Sequence, residues 1–217
     1  VIKEKRMSSP MSQSDPSRQK KKRKKRPPKK ITQSYLHNAG VYYLRRFSSS
    51  VSNFKRVMMR KVYRSVNYHG EPPIEKCEQM VDDLAAEMMD HDWINDHRYA
   101  ENKARYYRRK GASRRKIYKK LRAKGVADDV INDAIGAVDQ EMRADATQSI
   151  EQSKDTAAEL KAAKRYLERR RKGPYRTKKP VDNDQARDWH QKDLASLSRQ
   201  GFRYAIAKRA MEGGDAD

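Results

Sequence analysis

Three short stretches of the chain share one grammar: AGVYYLRRFSSS from Ala39, ARYYRRKGAS from Ala104 and AKRYLERRRKGP from Ala163. Each sets an alanine before an aromatic residue and then an arginine pair, and the copies recur roughly every 60 residues. A period of this size belongs to stacked supersecondary units, none of which can bury its apolar face alone. Behind each copy a second and a third helix can be drawn. The expected fold is therefore all-α, an elongated array of three tandem three-helix modules with a disordered basic N-terminal tail. The tail takes residues 1–34, the first module 35–92, the second 93–141, and a linker helix with the third module 142–217.

Apolar spacing fills in the helices. From Asn38 onward, Val41 and Leu44 mark a short helix, and Ser50 can cap the next, which carries Val51, Phe54, Val57 and Met58. After the breakers Gly70, Pro72 and Pro73, the residues Ile74, Cys77, Val81, Leu84 and Met88 fall at steps of three and four, as an amphipathic helix requires. Asp96 is the expected cap of a fourth helix that ends at Gly111. Ser113 opens a fifth, closed by Gly125, and Asp128 or its neighbour opens a sixth through Val130, Ile131, Ala134, Ile135 and Val138. Met142 to Lys161 is polar and alanine-rich and reads as helix or helical linker. Two further helices follow the loop GPYRTKKPVDND, one with Trp189, Leu194 and Leu197 and a last one after Gly201 with Ile206 and Ala210. No run alternates with period two, so no sheet is predicted. Trp93 and Trp189, at helix boundaries on apolar faces, are expected in the core.

Charge bounds what such an array can meet. The 217 residues carry a formal net charge of +23, with 37% of residues charged and 8% aromatic. That balance cannot line one large core; it suits a thin apolar seam under a wide wet surface. Self-repulsion of this size calls for an anionic partner, nucleic acid first and an acidic protein groove second. The tail holds an unbroken basic block, Lys20, Lys21, Lys22, Arg23, Lys24, Lys25 and Arg26, which reads as a phosphate-seeking arm indifferent to sequence. Cys77 is the only cysteine, so no intrachain disulfide and no cysteine-rich zinc site forms, consistent with a reducing cytoplasm. No apolar run approaches the roughly 20 residues that span a bilayer, and the N-terminus is polar rather than signal-like. A soluble, cytoplasmic monomer with no membrane contact is expected. Val1 is not a methionine, which leaves a non-standard initiator, Met7 and Met11 as candidate starts.

Motifs for chemistry are missing where they are needed. DHDWINDH, from Asp90 to His97, crowds two histidines and three aspartates, but the histidines are not spaced i, i+4 and no cysteine pair accompanies them, so a turn with an aspartate cap is the better reading than a metal site. GxxxxGK[ST] is absent, and no serine sits in a nucleophile elbow, so neither an enzyme nor a cofactor is expected. A helix-turn-helix over SRRKIYKKLRAKGVADDVINDAI is disfavoured because its recognition helix would bring Asp128, Asp129 and Asp133 to phosphate.

The run WINDHRYAENKARYYRRKGASRRKIYKKLRAKGV resembles the RecX family of recombinase regulators. The family's aromatic, apolar, polar-Asp, Arg, aromatic and Ala series corresponds to Trp93, Ile94, Asn95, Asp96, Arg98, Tyr99 and Ala100, and its glycine, isoleucine, leucine and Lys-Gly pair to Gly111, Ile117, Leu121, Lys124 and Gly125. YLRRFSSS near the start and QKDLASLSRQGFRYAIAKRAM near the end agree as well, so the resemblance covers roughly residues 38–212. Four departures stand out. Asn95 stands where an aspartate is common, the first module lacks the Lys-Gly ending after Met59 and Arg60, the third carries a basic insertion from Lys172 to Lys179, and the tail lies outside the family pattern.

The resemblance implies a non-enzymatic regulator, an inhibitor in the first instance, that binds in the groove of a RecA-type recombinase filament and modulates ATP hydrolysis, strand exchange and SOS coprotease activity. The alternative is a general, non-specific binder of single- or double-stranded DNA. Within KGASRRKIYKKLRAKGV, Ile117 and Leu121 form the inward face and the cations the outward one. On charge alone, the expected contacts are Arg98, Arg105, Arg108, Arg109, Arg114, Arg115, Lys119 and Arg122, with the tail cluster Lys20 to Arg26.

Overall fold

The computed structural model describes residues 27–144 and 154–212; the expected disordered tail, with its Lys20 to Arg26 block, lies outside them apart from residues 27–34. The described residues form helices and connections, with no strand among them. In chain order the helices are α1 (Gln33–Leu44), α2 (Val51–His69), α3 (Ile74–Asp90), α4 (Asp96–Arg109), α5 (Arg114–Arg122), α6 (Asp128–Ala144), α7 (Lys154–Arg170), α8 (Asn183–Arg199) and α9 (Tyr204–Glu212), with one 3₁₀ turn at Gly173–Tyr175.

Three separate cores follow one another along the chain. The first gathers Phe54, Met58 and Val62 of α2 with Cys77, Val81, Leu84 and Met88 of α3 and Leu36 of α1. The second joins Ala100 and Ala104 of α4 to Ile117 and Leu121 of α5 and Ile131, Ile135 and Val138 of α6. The third holds Ala163, Tyr166 and Leu167 of α7 with Leu197 of α8 and Ile206 and Ala210 of α9. No buried residue belongs to two of these cores, so the protein is a linear array rather than one globule.

Local chemistry explains where the helices start. Thr32 caps α1 by accepting a hydrogen bond from Tyr35 N, and Ile31 just before the cap is buried in one core with Leu36, a hydrophobic staple that fixes the entry of the chain. The first helix therefore begins earlier than its apolar spacing suggested, because the signal lay in the cap and the staple rather than in the periodicity. Residues 27–31 are held as well: Ser65 of α2 donates to Lys29 O at 2.8 Å, and His69 Nε2 lies 2.8 Å from Pro28 O. Ser50 and Ser113 cap α2 and α5 as the sequence implied. The cap of α4 is Asn95, not Asp96.

Trp93 corrects another expectation. It is 46% exposed, and the neighbouring Ile94 takes the core position at 3%. Trp189 is half-buried, with the Arg176 guanidinium 4.3 Å from its ring centroid.

Candidate functional site

Asp96, freed from capping its own helix, reaches the preceding unit. Its Oδ1 accepts from Val51 N at 2.9 Å, so a carboxylate from α4 satisfies an orphan amide in the first turn of α2. Beside it, the Ser50 hydroxyl accepts from Asn53 N and donates to Lys124 O at 2.5 Å, at the end of α5. Gly125 next to that carbonyl, at φ +75°, lies against Ser52, where any Cβ would overlap the serine side chain. Burial pushes the Asp96 carboxyl above the usual aspartate range, although the bond from Val51 opposes it.

The next junction repeats this construction. Ser113 accepts from Lys116 N and donates to Gln200 O at 2.6 Å, at the end of α8. Gly201, at φ +90°, brings its backbone against the Ser113 side chain. Glu159 of α7 accepts from Arg114 N, the first amide of α5, at 2.6 Å. At each junction a serine cap of one second helix thus docks on the carbonyl before a glycine in the next, and a carboxylate from the following module's first helix holds the first amide. The first module lacks the Lys-Gly pair, and among the described residues no serine cap docks at the end of α2. Gly70, which follows α2, would present a Cβ to open space.

Arg108 departs most from its predicted role. Expected on the partner-facing surface, it is 1% exposed and binds inward. Its Nε and Nη2 donate to both carboxylate oxygens of Asp139 on α6, at 2.8 and 2.7 Å, and its Nη1 donates to Glu159 of α7 at 2.7 Å and to Ala112 O at 3.0 Å. Desolvation works against the charged guanidinium, but the two carboxylates outweigh it and raise its pKa. The repeat held the clue. Aligned on the buried small residues Gly40, Ala104 and Ala163, Arg108 stands where the other copies have Leu44 and Leu167, at an inward position. Asp139 and Glu159 carry no comparable signal in the sequence, since each is one acid among many on an amphipathic helix.

The other predicted contacts divide by exposure. Arg98 binds Asp92 at 2.5 Å and Arg105 makes a two-pronged pair with Glu141 at 2.7 and 2.8 Å, so both already face carboxylates. Those guanidiniums hold Glu141 and Asp92 below the usual carboxylate range. Arg114 is half-buried, whereas Arg109, Arg115, Lys119 and Arg122 are exposed. Arg122 lies 3.9 Å from Asp128. On α5 the buried Ile117 and Leu121 and the exposed Arg115 and Lys119 occupy opposite sides, as the sequence predicted. Tyr106, 42% exposed, marks the edge of this surface; the Lys110 ammonium bonds its hydroxyl and, with Lys103 and Arg169 nearby, lowers its pKa.

Among the described residues, no group of His, Cys, Asp and Glu is arranged to hold a metal ion, and no helix is long and apolar enough to cross a membrane.

Comparison with known proteins agrees with this architecture. The sequence pattern of the family described as "RecX, second three-helix domain" matches residues 95–135, the span of α4 and α5 and the first turns of α6. The Regulatory protein RecX of Myxococcus xanthus (strain DK1622) is 36% identical over 191 residues, which cover 87% of this chain and 90% of the relative. The crystal structure of RecX from Lactobacillus salivarius shares the fold, with a TM-score of 0.54 at 19% identity over 83% of this chain and 94% of that one. The chain belongs to the RecX family of regulatory proteins.

Proposed function

We propose that the protein regulates a bacterial RecA-type recombinase, as an inhibitor, by lying in the groove of the recombinase–DNA filament and modulating ATP hydrolysis, strand exchange and SOS coprotease activity. Family membership supports the recombinase as partner, and the linear array supports the mode. Modules joined by one repeated junction progress along an axis, which suits a surface that itself repeats along a helical axis. The exposed cations Arg109, Arg115, Lys119 and Arg122, with the Lys20 to Arg26 block, are the proposed contacts to the filament and its DNA. Arg108 is left out of that set because both sides of its guanidinium are already bound within the array.

ATP hydrolysis by the cognate recombinase on single-stranded DNA tests this, titrated with the full chain and with a version lacking residues 1–26, which keeps the packing of Pro28 to Ile31 on α2. Suppression at substoichiometric ratios by both forms supports filament regulation. Suppression only at DNA-saturating ratios, and only with the tail, means competition for DNA and overturns the proposal.

A further inference from the structure

No carboxylate occurs between Asp15 and Glu71, so α1 and α2 carry no negative side chain at all. The carboxylate contacts that reach these two helices among the described residues, His37 Nδ1 to Glu87 and the ion pair Lys55–Asp82, run to α3 and leave most of their cations unneutralised. On α2, the partly exposed Lys61 and the exposed Arg64 and Tyr68 recur at helical steps and share one side. Where residues 27–31 reach α2, an open groove is lined by Lys29, Lys30, Tyr35, Tyr42 and Lys61, among others. Tyr42 is 62% exposed, and its ring is fixed by Arg46, which donates to its hydroxyl at 2.6 Å and lies 5.1 Å from its centroid. Tyr63 and Tyr68 are likewise exposed.

We propose that this α1–α2 face, including the groove at Lys29, Lys30 and Lys61, is a binding site for single-stranded nucleic acid. Unneutralised cations meet the phosphates, and tyrosine rings held among them give bases a surface to stack on. An acidic protein would answer the charge but leaves the exposed rings without a role. A duplex answers the charge too, yet its bases are stacked on one another and do not reach the rings. The site acts in the free protein and does not rest on the recombinase partner.

The test is fluorescence anisotropy of the full chain with oligo-dT of about 20 nucleotides and with a duplex of equal length. Tyr42→Ala with Tyr68→Ala is expected to weaken oligo-dT binding about tenfold while leaving the duplex and the salt slope unchanged. Lys61→Ala with Arg64→Ala is expected to reduce the oligo-dT salt slope by roughly 1 to 1.5. Arg115→Ala with Lys119→Ala, on α5, is expected to leave oligo-dT affinity as it was. All three pairs alter exposed or partly exposed side chains, and thermal melts check that each variant is folded. The proposal is overturned if the tyrosine pair has no effect on oligo-dT, if the α5 pair removes the binding instead, or if polyglutamate competes charge for charge as well as oligo-dT does.

Discussion

Ser50 and Ser113 make the same pair of bonds in successive modules: each accepts from an amide of the helix it caps, and each donates its hydroxyl to the carbonyl before a glycine in the module that follows. One side chain therefore begins a helix and joins two modules.

Substitution at Ser113 separates these roles. Ser113→Ala removes both and is expected to cost about 1–2 kcal/mol in urea denaturation. Ser113→Asp keeps an acceptor for Lys116 N but sets a carboxylate against Gln200 O, so the α5 cap survives while the junction weakens. Helicity by circular dichroism should hold, and amide exchange near α8 should quicken. Asp182 caps α8 with a carboxylate of this kind, accepting from Gln185 N.

The glycines rank by what their missing side chains would meet. Gly70→Ala meets nothing and costs only the left-handed backbone, about 1–2 kcal/mol. Gly201→Ala adds a collision with Ser113 Oγ at 2.9 Å. Gly111→Ala meets backbone that cannot swing aside, Tyr166 N at 2.6 Å and Ala162 O at 2.8 Å, and is expected to lower the melting temperature most of the three.

Arg108→Leu installs the residue that the flanking copies carry, yet it is expected to destabilise by about 3–5 kcal/mol, because Asp139 and Glu159 lose their buried partner. Adding Asp139→Ala should recover part of the loss. A near-neutral Arg108→Leu in chemical denaturation would show that the guanidinium is not what holds these carboxylates.

Asp193 gives the array an acid limit. Burial raises its pKa, but Gly173 N–H, Arg176 and Lys172 outweigh burial and hold the carboxyl below its usual value. A depressed folded pKa contributes stability that is complete above the unfolded value, about 3.9, and is lost as pH falls through the folded one. Melting of the third module should therefore weaken below about pH 4. Asp193→Asn should be less stable at neutral pH and should flatten that acid limb.

The sequence carried the helices, the inward seam of α5 and the family resemblance because each is written in local spacing. Ile117 and Leu121 need only their own helix to declare their direction. The junctions were less legible. Asp96 looks like a cap from its neighbours, and only its position in space shows that it serves Val51 instead. Arg108 looked like surface because an arginine pair beside two tyrosines normally is; its burial depends on Asp139 and Glu159, both far along the chain. Trp93 was misplaced for the converse reason, since a large apolar residue at a helix boundary can yield the core to its neighbour Ile94. The carboxylate-free run over α1 and α2 was present in the sequence from the outset, but Lys61, Arg64 and Tyr68 become one surface only when α2 sets them on the same side.

The two joints differ in stiffness. Between α3 and α4 the bonds are those of Ser50, Asp96, Arg56 and Lys124, and among the described residues no buried ion pair crosses there. Between the second and third cores, Glu159 of α7 accepts from the buried Arg108 guanidinium and from Arg114 N at once, so any change of angle strains a charge-assisted contact inside the protein. Under bending, α1 to α3 are therefore expected to yield before α7 to α9 do, because the first joint has no such buried pair to break. A ligand held on α1 to α3 would then shift against whatever α4 to α9 engage without either core unpacking.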